Sequence, residues 1–431
     1  VADVQNQLIE SISHECYPLT EMVQQMGIRP EIMYAYEGGV FEDDNAISHD
    51  GTEVISLNLD TAKVPLTLTV NPGNKDFELT IEYDDSLYSE ADMQILMHSI
   101  VTLAQNYAGA NTEAKNEATS LQNCSMLTNE QEHQLIELGK GKTLDYDKSK
   151  IFINLFHEQA AKTPDAVAVV DKDSQLTYSE LDKASDEYAK TVTPGTFVCV
   201  EMPRVKEFVV AVLGIWKAGS AYVPIDTEYP EERKRFMREE CDGKPLPQSD
   251  IAYMIYTSGS TGKPKGAMVQ HPALMNFVKF IAKVWNLTDK SRISCHSNFA
   301  FDASVEDLFP VLTVGGRLFI IPKDVRTDID LMYNYIVSNG ISGGNYSTQF
   351  GQMLLQEHPD LPLEYLVLGG EKMTANPKCH CRLINTYGPT ECTVDATYYE
   401  LSNDKSYDNI PIGRPLDNLQ SFIFDGQGHL L

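Results

Sequence analysis

Residues 256–266 read Tyr256-Thr257-Ser258-Gly259-Ser260-Thr261-Gly262-Lys263-Pro264-Lys265-Gly266. The stretch combines hydroxyls, flexible backbone N–H groups and two cations, which is equipment for holding a polyanion, and a nucleoside triphosphate fits it best. Gly259, Gly262 and Gly266 let the backbone approach a ligand without Cβ interference. Thr257, Ser258, Ser260 and Thr261 offer donors to phosphate oxygens, and Lys263 and Lys265 add charge. The common phosphate loop, Gly-x-x-x-x-Gly-Lys followed by Ser or Thr, is a different pattern, since Pro264 follows Lys263 here. A Gly/Ser linker that happens to carry lysines is the competing reading. The flank opposes it: Ile251-Ala252-Tyr253-Met254-Ile255-Tyr256 is a strand-like apolar run, and α/β proteins place ligand sites in loops leaving the carboxyl ends of strands.

Working outward, apolar runs recur between helical patterns at Ala166–Val170, Thr196–Val200, Phe208–Trp216, Arg317–Ile321 and Glu364–Leu368. Continuous apolar strands interleaved with helices predict sheets covered on both faces. Upstream, strand-like segments occupy Glu53–Leu59 and Phe77–Tyr83, the second alternating so that one face is wet. A helix is expected from Glu90 to Ala108, a polar linker from Gly109 to Ser120, and another helix near Thr128–Leu138. A domain boundary falls near 120–150, and there is no internal repeat.

The chain has 431 residues and a formal charge of −28, enough for two or three domains and unfavourable at long range for nucleic acid or anionic membranes. A phosphate-bearing ligand must then be captured locally. No apolar run approaches the roughly 20 residues needed to cross a bilayer. Val1-Ala2-Asp3-Val4-Gln5 lacks signal-peptide features, so the start reads as internal and the location as cytoplasmic. The eight cysteines show no framework spacing and read as buried small hydrophobes of a reducing compartment. Cys379-His380-Cys381 is a poor zinc site, because adjacent positions cannot all face one tetrahedral ion.

Further motifs follow in order: Leu176-Thr177-Tyr178-Ser179-Glu180-Leu181, Trp216–Asp226, Phe301-Asp302-Ala303-Ser304, Asn385-Thr386-Tyr387-Gly388-Pro389-Thr390-Glu391 and Ile410–Pro415. With residues 256–266, they resemble the core motifs of adenylation domains of nonribosomal peptide synthetases, within the adenylate-forming superfamily. The resemblance covers about residue 150 to the end. Residues 1–120 are similar to the second half of a condensation domain, on Ser13-His14-Glu15-Cys16-Tyr17-Pro18-Leu19. The His-His-x-x-x-Asp-Gly motif of condensation catalysis is absent from this chain, and His14 reads as structural. The implied fold is α/β: the C-terminal lobe of a chloramphenicol-acetyltransferase-like condensation domain over 1–120, a linker over 121–150, and the large multi-layer α/β subdomain of an adenylate-forming enzyme over 151–431. Leu431 precedes the aspartate that the family uses to hold ribose and the small subdomain carrying its catalytic lysine. These 431 residues are therefore expected to bind ligands but to adenylate weakly. Separations from Tyr229-Pro230 to Ile251 and from Thr374 to Asn385 are contracted relative to the family.

The resemblance implies that an amino-acid carboxylate attacks the α-phosphate of ATP, giving aminoacyl-AMP and pyrophosphate. Thr257, Ser258, Thr261 and Lys265 would hold the β- and γ-phosphates together with Gly259 and Gly262. Thr390 would meet the α-phosphate and Glu391 would ligate Mg²⁺. Gly370, Glu371, Asn385, Thr386, Tyr387 and Gly388 would flank the nucleotide. Asp302 would accept the substrate ammonium. The side-chain pocket would be built from Asp302, Ala303, Glu306, Asn345, Val367, Gly369, Thr386, Val394 and Asp395, although Tyr346-Ser347-Thr348-Gln349 lacks the proline usual there. A carboxylate deep in a pocket needs a partner to offset its desolvation, so Glu306 favours lysine and then ornithine. The bland alternative is that Glu306 faces solvent or a local cation. The product would pass to the phosphopantetheine of a carrier domain, in cis or in trans with other synthetase modules. Two further readings stay open: a stand-alone acyl or aminoacyl ligase of the same superfamily, and a catalytically silent scaffold fragment.

Overall fold

The computed structural model describes residues 6–7, 9–11, 19–27, 30–36, 64–72, 76–113, 124–172, 174–258, 264–374 and 379–431. It divides into two units, residues 1–134 with 424–431, and Leu135–Ile423. The strand expected over Glu53–Leu59 and residues 13–18 of the upstream motif lie outside the described residues.

In the first unit, β1 (Ile32–Tyr36), β2 (Leu66–Pro72) and β3 (Phe77–Tyr83) form one sheet in that order, with β1 parallel and β3 antiparallel to β2. Leu79, Ile81 and Tyr83 are half-buried while Glu78, Thr80 and Glu82 are exposed, the alternation that the sequence predicts. The following helix spans Glu90–Glu113 and so runs beyond Ala108 into the segment read as linker. Ala108 and Ala110 flank Gly109, and two strong helix formers offset the roughly 1 kcal/mol cost of a single glycine.

The second unit carries two sheets. The smaller contains β6 (Phe197–Glu201), β7 (Ala221–Ile225), β8 (Ile251–Ser258) and β9 (Pro264–Gln270), parallel except for β9. The larger is ordered β16-β15-β14-β13-β12-β10-β11-β4-β5. Its strands are β4 (Val167–Asp171), β5 (Ser174–Thr177), β10 (Arg292–Cys295), β11 (Arg317–Ile320), β12 (Gly343–Ser347), β13 (Tyr365–Gly369), β14 (Arg382–Tyr387), β15 (Thr397–Leu401) and β16 (Arg414–Pro415). The interior pairs are parallel, and the edges β5, β15 and β16 are antiparallel.

The apolar run Phe208–Trp216 is helical, within Lys206–Lys217, rather than a strand. Every residue of the run except Val210 is buried, in a core cluster shared with Val200 and Tyr222 of the smaller sheet and Val169 and Leu318 of the larger. A helix apolar all round loses the 3.6-residue period that would identify it in sequence. Gly214 brings it close to its neighbour helix, Tyr178–Ala189, where a Cβ would lie 2.9 Å from the Ser185 carbonyl oxygen. That neighbour begins with a capping box. The Thr177 hydroxyl accepts from the Glu180 N–H at 3.2 Å, and the Glu180 carboxylate accepts from the Thr177 N–H at 2.8 Å, which gives the Leu176–Leu181 motif a local physical role. Of the cysteines read as buried, Cys392 is exposed and Cys199 half-buried. Among the described residues, no helix is long and apolar enough to cross a membrane, and no group of three or more His, Cys, Asp or Glu could hold a metal ion.

Candidate functional site

The phosphate-loop sequence is held by a hairpin. Strands β8 and β9 pair antiparallel with Thr257 opposite Lys265 and Ser258 opposite Pro264, and the Thr257 hydroxyl donates to the Lys265 carbonyl at 3.4 Å. The sequence marked β8 but not the returning β9, because Pro264 and Gly266 read as loop residues. Gly259, Ser260, Thr261, Gly262 and Lys263 lie outside the described residues. At Gly266 a Cβ would fall 2.5 Å from Met254 Sδ, so any larger residue there displaces the flexible Met254 side chain. The turn Thr390–Cys392 packs against β9, so Thr390 and Glu391 stand beside the hairpin that carries Thr257 and Lys265.

A cavity of about 320 Å³ opens at the carboxyl ends of β12, β13 and β14. Of the expected substrate positions, Asp302, Ala303, Asn345, Gly369, Val394 and Asp395 line it. Gly370, Thr386 and Gly388 from the expected nucleotide set line it too. Two positions differ from expectation. Val367 is fully buried in the main apolar core, two residues deeper along β13 than Gly369, and the cavity does not reach it. Glu306 is 1 % exposed and sits behind the lining rather than on it. The alternative in which Glu306 faces solvent is therefore excluded, and no salt bridge among the described residues engages it.

At the inner wall of the cavity, three carboxyls converge. The Asn345 amide donates to Glu306 Oε2 in a short contact, the carboxyls of Glu306 and Asp395 lie near enough to act on each other, and Asp307 lies close by. Glu306 Oε1 and Asp395 Oδ2 are buried without a hydrogen-bond partner. Burial, reinforced by the neighbouring acids Asp395 and Asp307, pushes the Glu306 carboxyl well above its usual range. Burial pushes Asp395 up to about 7, with the Thr386 hydroxyl opposing. Asp307, also pushed to about 7 by burial, accepts from the backbone N–H groups of Ser297 (3.2 Å) and Asn345 (3.3 Å) and so ties β12 to the segment after β10. Arg204 steadies that segment by donating to the carbonyls of Cys295 and His296, both at 2.6 Å. Neither Asp307 nor Arg204 was legible beforehand, since their partners lie tens of residues away in sequence. Asp395 is aimed by an unusual backbone: Thr393 and Val394 both adopt positive φ, 65° and 72°, which is strained for β-branched residues.

Also on the cavity wall, burial raises the half-buried Asp302 carboxyl and the nearby Thr390 hydroxyl partly opposes this. The expected ammonium acceptor and the expected α-phosphate contact are thus adjacent. Glu391 acts on Asp302 from nearby and is exposed. Asn385 is committed, its amide donating to the Pro411 carbonyl at 2.8 Å, so it holds the Ile410–Pro415 segment in place. Tyr387 is 53 % exposed, and Gly370 and Glu371 lie at the surface beside the cavity. Gly388 is needed for a close approach, as a Cβ would meet the Val394 carbonyl oxygen at 2.2 Å. Cys379 is paired internally, its thiol donating to the Cys381 carbonyl at 3.2 Å.

The family model for AMP-binding enzymes matches residues 156–246 and 237–431. The chain belongs to the AMP-binding enzyme family. It is 30% identical to bacitracin synthase 1 of Bacillus licheniformis over 97% of this chain and 9% of that protein. It is 27% identical to tyrocidine synthase 2 of Brevibacillus parabrevis over 99% of this chain and 13% of that protein. The chain thus spans a small part of the curated relatives it matches. A crystal structure of a four domain nonribosomal peptide synthetase bound to AMP and glycine superposes with a TM-score of 0.81 at 22% identity, over 100% of this chain and 36% of that one. A second synthetase, in an AMPPNP-bound form, gives 0.78 at 23% over 95% and 50%. The fold is that of nonribosomal peptide synthetase adenylation domains.

Proposed function

We propose that this chain is the amino-acid-activating part of a nonribosomal peptide synthetase, and that it joins an amino acid to AMP at the expense of ATP. The observation that carries the reading is the adjacency of three parts: the Thr257/Lys265 hairpin, the Thr390–Glu391 turn, and a cavity lined by Asp302 and Asp395. In the reaction, a carboxylate oxygen of the amino acid forms a bond to the α-phosphorus of ATP. The bond from that phosphorus to the bridging oxygen breaks, and pyrophosphate leaves with the electron pair. The residues here work by orientation and fixed charge rather than as bases. Asp302 holds the substrate ammonium, Thr390 reaches the α-phosphate, and Thr257, Ser258, Thr261 and Lys265 hold the outer phosphates with the backbone of Gly259 and Gly262. Gly370, Glu371, Asn385, Thr386, Tyr387 and Gly388 border the nucleotide.

Mg²⁺ fits this donor set. A single exposed carboxylate, Glu391, beside the Thr390 hydroxyl suits an ion that binds one or two carboxylates and completes its shell with phosphate oxygens and water. The ion would neutralise charge on the phosphates.

The acids at the inner wall of the cavity favour an amino acid with a cationic side chain, lysine first and ornithine second. Leaving a buried charge without its partner costs about 3–5 kcal/mol, roughly a hundredfold or more in affinity. Residues 1–120 are read as the condensation-type piece, 121–150 as a linker and 151–431 as the adenylation core. A carrier domain's phosphopantetheine thiol would then attack the acyl carbonyl and release AMP. The direct test incubates the protein with ATP, Mg²⁺ and a mixture of the proteinogenic amino acids plus ornithine, with aminoacyl-AMP read by mass spectrometry. Lysyl- or ornithyl-AMP supports the reading. A neutral aminoacyl-AMP removes the side-chain assignment, and no adenylate at all favours the silent scaffold.

A further inference from the structure

Glu306 and Asp395 are not equivalent. Asp395 lines the cavity, whereas Glu306 lies behind it, out of reach of the space a substrate would fill. Each has one buried oxygen without a hydrogen-bond partner, and the two carboxyls are near enough to act on each other. One proton between them satisfies both orphans, while two adjacent bare carboxylates in a dry site would repel.

We propose that Asp395 carries the negative charge that meets the substrate's cationic side chain, and that Glu306 is a protonated positioning residue that donates to Asp395 and holds it in place.

This deepens the cationic-substrate reading and rests on it. The surroundings agree. Glu306 is flanked by Asn345, Asp307 and Asp395, with Tyr365 close to both Glu306 and Asp307. Asp395 is flanked by Glu306, Thr386 and Asp302. Arg204 acts on Asp307 and is bound to two carbonyls, and Arg326, which also lines the cavity, acts on Arg204 and His296. Lys148, exposed, lines a second cavity of about 650 Å³ whose wall includes Asp395. The strained backbone at Thr393 and Val394 immediately before Asp395 is the kind of conformation that persists where a side chain must be aimed. When a cationic side chain enters below the midpoint of Asp395, the proton on Asp395 leaves to solvent and that on Glu306 stays.

The test is calorimetric binding of two tight-binding probes to the full chain, lysyl sulfamoyl-adenylate and its norleucyl isostere, which lacks the side-chain ammonium. In the wild type, lysyl affinity rises by up to about tenfold per pH unit as pH climbs toward 7 and then levels, while norleucyl affinity stays flat. Asp395→Asn lowers the lysyl-to-norleucyl ratio by about a hundredfold and abolishes the slope. Glu306→Gln, which keeps a donor toward Asp395, weakens both probes together, leaves their ratio within about threefold and keeps the slope. AMP binding and thermal melting check that each variant folds. Loss of the ratio in Glu306→Gln, whether or not Asp395→Asn also loses it, overturns the division of roles. A wild type that does not distinguish the probes overturns instead the cationic-substrate reading on which the proposal rests.

Discussion

The Asn345 side-chain amide donates to the carboxyl of Glu306, while the Asn345 backbone N–H donates to Asp307. One residue of β12 thus organises two buried acids brought in by the helix Ala303–Leu308. Asn345→Ala leaves a Glu306 oxygen without its donor, and a buried polar group so orphaned costs about 1–3 kcal/mol. Thermal unfolding at constant pH is expected to move down accordingly, and an unchanged midpoint would show that the contact does not matter.

Stability should also depend on pH through the same acids. Burial raises Asp307 and Asp395 from 3.8 to about 7. An acid whose folded pKa lies above its unfolded value stabilises the fold fully below the unfolded pKa and loses that contribution as pH rises through the folded one. Their contribution therefore fades between about pH 4 and 7. His271 and His296, held down to about 4 by burial, act oppositely, so that stability falls as pH drops below about 6.5. The comparison of Asp395→Asn with the wild type isolates one acid. The variant should gain on the wild type as pH rises from about 4 to 7. Parallel stability curves would contradict this.

How far the sequence could be read follows from where each signal lies. The strand Phe77–Tyr83 was legible to the residue because its alternation is local. The helix Lys206–Lys217 was not, because a segment buried on all sides carries no period. Asp302, Asn345, Gly369, Val394 and Asp395 were found through the family resemblance, and the fold gathers them around one cavity. That Glu306 lies behind Asp395 could not be read, since the two are far apart in the chain and meet only when the Ala303–Leu308 helix packs beside the Thr393–Val394 turn. Val367 was misplaced for a related reason: its position on β13 is local information, but how deep the cavity reaches down the strand depends on distant elements, and it stops at Gly369.

Gly369 sets the room available. A Cβ there would stand 2.8 Å from the Thr386 hydroxyl oxygen, so Gly369→Val must intrude on the cavity or push Thr386 aside. Activation of a long side chain should fall by about tenfold or more, with smaller amino acids less affected. Steady-state comparison of lysine with alanine checks this, and equal losses for both would indicate general damage.

Lys265 should act on nucleotide alone. It sits on β9 beside the Thr390–Cys392 turn and does not line the amino-acid cavity. Lys265→Ala removes a charged hydrogen bond worth about 1.5–3 kcal/mol, or roughly ten- to a hundredfold in ATP affinity. Titration with a non-hydrolysable ATP analogue measures it, and AMP affinity should move far less. An equal loss for AMP would take Lys265 away from the outer phosphates.

The central claim is that this chain activates a cationic amino acid through ATP. Amino-acid-dependent exchange of labelled pyrophosphate into ATP, run with lysine, ornithine and norleucine beside the remaining proteinogenic amino acids, tests it most directly. The account predicts exchange with lysine or ornithine and close to none with norleucine; exchange driven by norleucine or another neutral amino acid in their place would contradict it.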